Sequence, residues 1–384
     1  MGNLFYDLAR ERSAITTFFV LVLFCIILST VWKASKYPYI LKKRVRHRAY
    51  LLILTYFIFA MNDGDWFHLY NLFGEPSFRA REASDISSQS SGLEAAYYYI
   101  ARCVGYNYIL FRFIVWGGAS VMSYALGARL GVNKNLYLFF FVIISLDILS
   151  FQRCSLAMSF AFLGYSFIIK PVKRHSFFSI LFGVFLILFS TLFHKSAFFL
   201  IPVFLLSFIS LNKRSLLMLI LSLPFLIYFI NGFLIDYILN MIGADTTLVN
   251  STVMQSYLER DNRSFGIGST IRHIILPLMF LSLFFYIVKH VIIRKVPLPN
   301  HIRLLFNSAF YIIIISFLIF TIDVVNVSEI YMRLLYYSVL PLSVILSFIY
   351  GSYKHITPNI PVVLICITCS FYKIILNLLG TIFL

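Results

Sequence analysis

Apolar runs of membrane-crossing length recur along this chain, separated by short loops, and they constrain its fold more than any other feature. They lie near residues 15–32, 49–61, 107–127, 136–150, 154–169, 176–192, 196–211, 215–233, 269–288, 304–322, 334–350 and 360–379. A helix needs roughly 20 apolar residues to cross a bilayer, and shorter ones survive when buried in a bundle. Water could not cover so much apolar surface: 60% of the 384 residues are hydrophobic and only 12% are charged, against about 25% charged in soluble domains. Lipid is therefore the expected solvent, and helices satisfy their own backbone there. The expectation is an all-α polytopic transmembrane helix bundle of about 12 spans, a single integral membrane domain over 1–384. The pair over 136–169 could form a broken or re-entrant helix.

Charge orients the runs. Lys33, Lys36, Lys42, Lys43, Arg44, Arg46 and Arg48 fall between the first two, with no acid among them. Such a loop belongs in the cytoplasm. Alternation from there places 19 of the 32 Lys and Arg inside, all 15 Asp and Glu outside, and both termini outside. The net charge of +17 thus follows from membrane topology. Nucleic-acid binding would want a polar basic face with interleaved aromatics, and no such segment exists. The first run is too long for a cleaved leader and is followed by basic residues that stop transfer. Cys366-x-x-Cys369 lies in the last apolar run without a histidine beside it, so packing explains it better than metal. Two outer loops are long: about 62–106, with a Tyr-rich stretch Leu93–Val104 expected to lie as a short helix in the interface, and 234–268.

Basic residues on the outer side run against the charge rule and need a reason. Arg112, Arg153, Lys195, Arg272 and Arg333 sit in or at the edge of apolar runs. A charge at that depth costs a few kcal/mol and marks a functional site by default. Each could instead pair with an outer acid such as Asp147, Asp323 or Glu329. Five together point to an anionic ligand, and arginine suits phosphate because its planar fork holds two oxygens. Three stretches add detail. Asn62–Tyr70 carries Asp63 and Asp65, candidates for a general base or for binding sugar hydroxyls, or else a capping turn. Ser150–Ala157 presents Arg153 ahead of the small residues Ser155 and Ala157. Phe193–Ala197 carries His194, able to move a proton near neutral pH, and Lys195, which could equally snorkel. No nucleophile elbow, P-loop or metal-ligand spacing occurs, so no cofactor or metal is expected. Any donor would be lipid-borne or presented from outside.

In this order the stretches resemble the EpsG branch of the Wzy-type polysaccharide polymerases. Asp65, Trp66 and Tyr70 resemble that family's Gly-x-Asp-[Tyr/Trp]-x-x-Tyr segment. Arg153 and Ala157 match its Arg-x-x-x-Ala segment, and His194, Lys195, Ser196 and Ala197 match His-Lys-[Ser/Thr]-Ala in full. Arg333 and Tyr337 match a late Arg-x-x-x-Tyr segment. The family usually has Gln after the middle Arg, whereas here Gln152 precedes Arg153. The resemblance implies a GT-C-like fold and glycosyl transfer outside the cytoplasm of a bacterium, in its inner (plasma) membrane. The growing glycan on undecaprenyl pyrophosphate would move onto a new lipid-linked repeat unit. Arg153, Arg272 and Arg333 would hold pyrophosphate with Lys195. His194 and Asp65 are rival bases, and Asp63, Tyr70, Arg112 and Tyr337 would contact substrate. The partners implied are the lipid-linked donor and acceptor, membrane lipid and other polysaccharide assembly proteins. A flippase for the same lipid-linked sugar, or a ligase using the same donor, are the alternatives.

Overall fold

The computed structural model describes residues 95–145, 152–172, 176–212, 280–320 and 334–352, with Phe73, Leu278 and scattered positions between 214 and 228. All regular structure among the described residues is helical. In chain order the helices are α1 (Ala95–Cys103), α2 (Tyr108–Leu130), α3 (Lys134–Ser145), α4 (Gln152–Ile169) and α5 (Ser176–Ser190). A 3₁₀ turn (Lys195–Phe199) leads into α6 (Leu200–Leu206). α7 (Phe280–Ile293) ends in a π-helical turn from Lys289, and α8 (Asn300–Phe320) and α9 (Val339–Ser352) follow. Three segments are long and apolar enough to cross a membrane, Leu110–Leu130, Asn300–Leu318 and Leu334–Ser352. Shorter apolar helices accompany them. The expected runs 15–32, 49–61 and 360–379, and most of 215–233, lie outside the described residues.

α4 is the hub, packed most extensively on α5 and then on α2, while α9 packs on α3 and α8. The α4–α5 crossing is close because two glycines face each other. A Cβ on Gly164 would meet the Gly183 carbonyl oxygen at 2.6 Å, and a Cβ on Gly183 would meet the Gly164 carbonyl oxygen at 2.6 Å. Small residues let backbones approach where lipid offers no hydrophobic drive between helices. α4 and α2 run side by side in one direction, joined by a Ser123–Ser159 hydroxyl pair at 3.1 Å. α5 returns beside α4, showing Phe177, Phe178, Leu181 and Phe185 on its exposed face. α9 is the opposite case, buried all round in keeping with a helix that is apolar on every side.

The bundle consequently has two ends. Arg129 and Lys170 meet at one, with Gly351 beside Asn133. The N-terminal ends of α2 and α4, the loop after α5 and Tyr337 gather at the other.

Two departures from the sequence expectation have local causes. α8 starts at Asn300, ahead of the expected residue 304, because Pro299 closes the connection and its carbonyl accepts from Ile302 and Arg303. The run 334–350 is broken at Tyr337 and Ser338, whose N–H groups reach back only three residues, to Leu334 and Leu335. Pro341 is the reason. It has no N–H to give the Tyr337 carbonyl, and its ring crowds that group. The Tyr-rich segment forms the short helix expected of it, α1, with Tyr97, Tyr98 and Ala101 buried on one face.

Candidate functional site

The site forms where the chain leaves α5. Backbone bonds from Thr191, Leu192 and Phe193 to carbonyls three residues earlier tighten the last turn. His194 is then extended (φ −157°, ψ 121°) and caps the 3₁₀ turn. A cap is needed because the first N–H groups of a helix have no partner within it. Here the imidazole supplies one: Nδ1 accepts from the Ser196 N–H at 3.1 Å. The turn stays 3₁₀ over Lys195–Phe199, and Pro202 explains this as Pro341 does above, since it cannot donate to the Phe198 carbonyl. Two helix entries, each loosened four residues before a proline, therefore meet. Ser196 Oγ lies 2.9 Å from the Tyr337 hydroxyl and 2.5 Å from His194 Nδ1.

Aromatic rings hold the loop in place. Phe193 stacks on Phe160 of α4 with centroids 5.0 Å apart, and meets Tyr97 of α1 edge-on at 5.5 Å. Tyr97 in turn contacts Phe111 of α2 at 6.0 Å. His194 is 7% exposed and Tyr337 1% exposed, so their polar atoms work in a dry setting where hydrogen bonds are strong.

The sequence-predicted residues divide as follows. His194 and Tyr337 are brought into one hydrogen-bonded chain through Ser196. Arg153 is the second residue of α4 and Lys195 the first of the 3₁₀ turn. Arg112 is buried one turn into α2, its guanidinium 5.7 Å from the centre of the Tyr108 ring. These cations thus stand near the N-terminal ends of three helical segments, where the helix dipole is already positive and a cation is disfavoured. No Asp or Glu lies among the described residues. Asp63, Asp65, Tyr70, Arg272 and Arg333 lie outside the described residues, Arg333 immediately before Leu334.

Sequence reasoning passed over Ser196, Tyr97 and Phe193. Ser196 stood within the His-Lys-Ser-Ala stretch, and a hydroxyl two residues after a histidine is the signal that could have found it. Among the described residues no group of three or more His, Cys, Asp or Glu could hold a metal ion. The family model of the EpsG family matches residues 48–382. No curated protein and no solved structure matches the chain.

Proposed function

Since the chain belongs to the EpsG family, the family of Wzy-type polysaccharide polymerases, we propose that it lengthens a polysaccharide from lipid-linked repeat units on the non-cytoplasmic side of a bacterial plasma membrane. The donor is a glycan on undecaprenyl pyrophosphate, and the acceptor is a hydroxyl at the end of a fresh lipid-linked unit. The bond from the donor's anomeric carbon to the phosphate oxygen breaks, its electron pair leaving with the pyrophosphate. A bond from the same carbon to the acceptor oxygen forms, and the acceptor proton passes to a base.

One observation carries this reading. The chain His194–Ser196–Tyr337 ties together two motif segments 141 residues apart, at the same end of the bundle as Arg112, Arg153 and Lys195. Cations crowded at helix N-terminal ends match the negative charge that grows on a departing pyrophosphate. Preorganised donors at such a position are worth about 10²–10³ in rate apiece. Arg153, Arg272 and Arg333 bind the pyrophosphate with Lys195 and Arg112. Asp63, Tyr70 and the 234–268 loop contact sugar, and His194 and Asp65 compete for the role of base. The cytoplasm faces the opposite end, which carries Arg129, Lys170 and Arg303, and both termini lie outside it. Other polysaccharide assembly proteins would accompany the chain.

The test is to remove the gene and analyse surface polysaccharide on gels, extracting the lipid-linked pool alongside. Single repeat units exposed on the outer leaflet, with the ladder of longer chains gone, are the expected result. Long chains piling up on the carrier would point to a ligase, and units trapped on the inner leaflet to a flippase. Either would overturn the reading.

A further inference from the structure

A continuous run of rings follows α5 into the His194 loop. Phe182 and Phe185 stack with centroids 6.4 Å apart, Phe185 and Phe189 stack at 5.6 Å, and Phe189 meets Phe193 edge-on at 5.3 Å. Their spacing of three and four residues keeps them on one side of the helix. α4 backs the run at both ends. Phe167 is edge-on to Phe182 at 5.1 Å, and Phe160 touches Phe189 at 5.1 Å and Phe193 at 5.0 Å. Exposure changes along the run. Phe193 is buried and Phe189 half-buried, while Phe185 is 56% and Phe182 47% exposed. No polar side chain lies on α5 between Ser179 and Ser190. The rings thus lead from the buried wall of the His194 loop to the exposed apolar surface of the bundle.

The loop is also recessed. Phe160, on which Phe193 stacks, is eight residues past the start of α4 at Gln152, about 12 Å along the helix. A pyrophosphate held there by Lys195 carries its tail directly on the phosphate. That tail begins below the rim of the bundle and has to leave over an apolar face. The face continuous with the loop is the ring run of α5. We propose that Phe193, Phe189, Phe185 and Phe182 form a track for the polyprenyl tail of the lipid-linked substrate, which enters sideways from the bilayer. This rests on the polymerase reading above. An isoprenoid chain carries a flat, methyl-branched double bond in every unit, and such π-systems settle on the faces and edges of aromatic rings. An ordinary phospholipid lacks that repeat, and its head stays at the rim, so it brings no phosphate to Lys195.

The full chain in detergent micelles is titrated with undecaprenyl pyrophosphate and, separately, with geranyl pyrophosphate. The second has a tail of two isoprene units, which ends short of Phe182, eight residues before the end of α5 at Ser190. Phe182→Ala is expected to weaken undecaprenyl pyrophosphate about two- to tenfold, the worth of one ring contact, and to leave geranyl pyrophosphate unchanged. Phe185→Ala should weaken the long-tailed ligand by as much. Leu181 is 55% exposed on the same helix but stands off the run of rings, and Leu181→Ala should change neither ligand. A loss in Leu181→Ala equal to that in Phe182→Ala would overturn the proposal, since any apolar surface would then serve. Equal losses for both ligands in Phe182→Ala would overturn it too, because damage to the pyrophosphate site would then explain them. If Phe182→Ala fails to accumulate in membranes, Phe182→Leu decides. Leucine keeps the bulk without the ring and should weaken the long-tailed ligand alone, and binding equal to the natural chain would overturn the proposal. Polymer formation in vesicles is read alongside. Polymer made with no penalty at Phe182 or Phe185 sinks the track and leaves the polymerase reading. The tail-length signature without polymer sinks the polymerase reading and leaves the track.

Discussion

The two ends of the bundle use the same residue types for different ends. At the basic end, Arg129 of the last turn of α2 donates to the Lys170 carbonyl just past α4. Lys170 Nζ returns a bond to the Arg129 carbonyl at 3.1 Å, and the Arg129 guanidinium covers the Phe167 ring at 3.7 Å. Each cation closes the C-terminus of the neighbouring helix, where carbonyls lack partners and the dipole is negative. At the other end, cations sit at helix beginnings, against the dipole, and side chains bond to one another across helices. In the first arrangement each cation bonds a carbonyl of the neighbouring helical segment. The second sets cations near helix beginnings, where the dipole does not support them. The two ends therefore differ in where on the helix the cations stand.

The sharpest way to break this contrast is a matched pair of arginine removals. Arg153→Ala should lower polymer formation by at least about 100-fold, with the protein still present in membranes, while Arg129→Ala should stay within about threefold. Comparable losses from both would erase the distinction. Next in size is a change that weakens the scaffold shared by the two ends. Gly164→Ala drives a Cβ into the Gly183 carbonyl, and about 1–3 kcal/mol of stability should go, seen as earlier thermal unfolding in detergent with activity per folded molecule retained. Smaller still, Arg129→Gln or Lys170→Gln should cost about 0.3–1 kcal/mol each, again with polymerisation intact. The double change should fall short of the sum, since each side chain caps the other's helix. An effect of the same size, about 0.6 kcal/mol, is expected from Ser159→Ala, which removes one hydroxyl of the α2–α4 pair.

Much of the fold was legible because helices in lipid must be long and apolar. The expected runs 154–169 and 176–192 are α4 and α5 within two residues. What hydropathy could not supply was backbone detail governed by single residues. It placed Arg303 in a loop, whereas Pro299 sets the start of α8 ahead of it, and it ran straight through Tyr337, where Pro341 breaks the helix. The short Tyr-rich helix was legible too, as α1, with Tyr97, Tyr98 and Ala101 on its buried face. The site was legible as segments and not as bonds. His194 and Tyr337 each stood out by motif, but their link depends on Ser196, a common residue whose role is created by two proline-loosened turns meeting.

The glycine crossing of α4 and α5 has a consequence for how the protein is made. The two helices are neighbours in sequence, joined by a short connection, so their contact can close as soon as α5 enters the membrane, onto an α4 already able to rest on α2. No distant segment is needed to seat one against the other. As the pair closes, Phe193 comes to rest on Phe160 and His194 is delivered with it. The His194 loop is thus set before the C-terminal helices are made, and Tyr337, more than a hundred residues later, arrives at a histidine already in place.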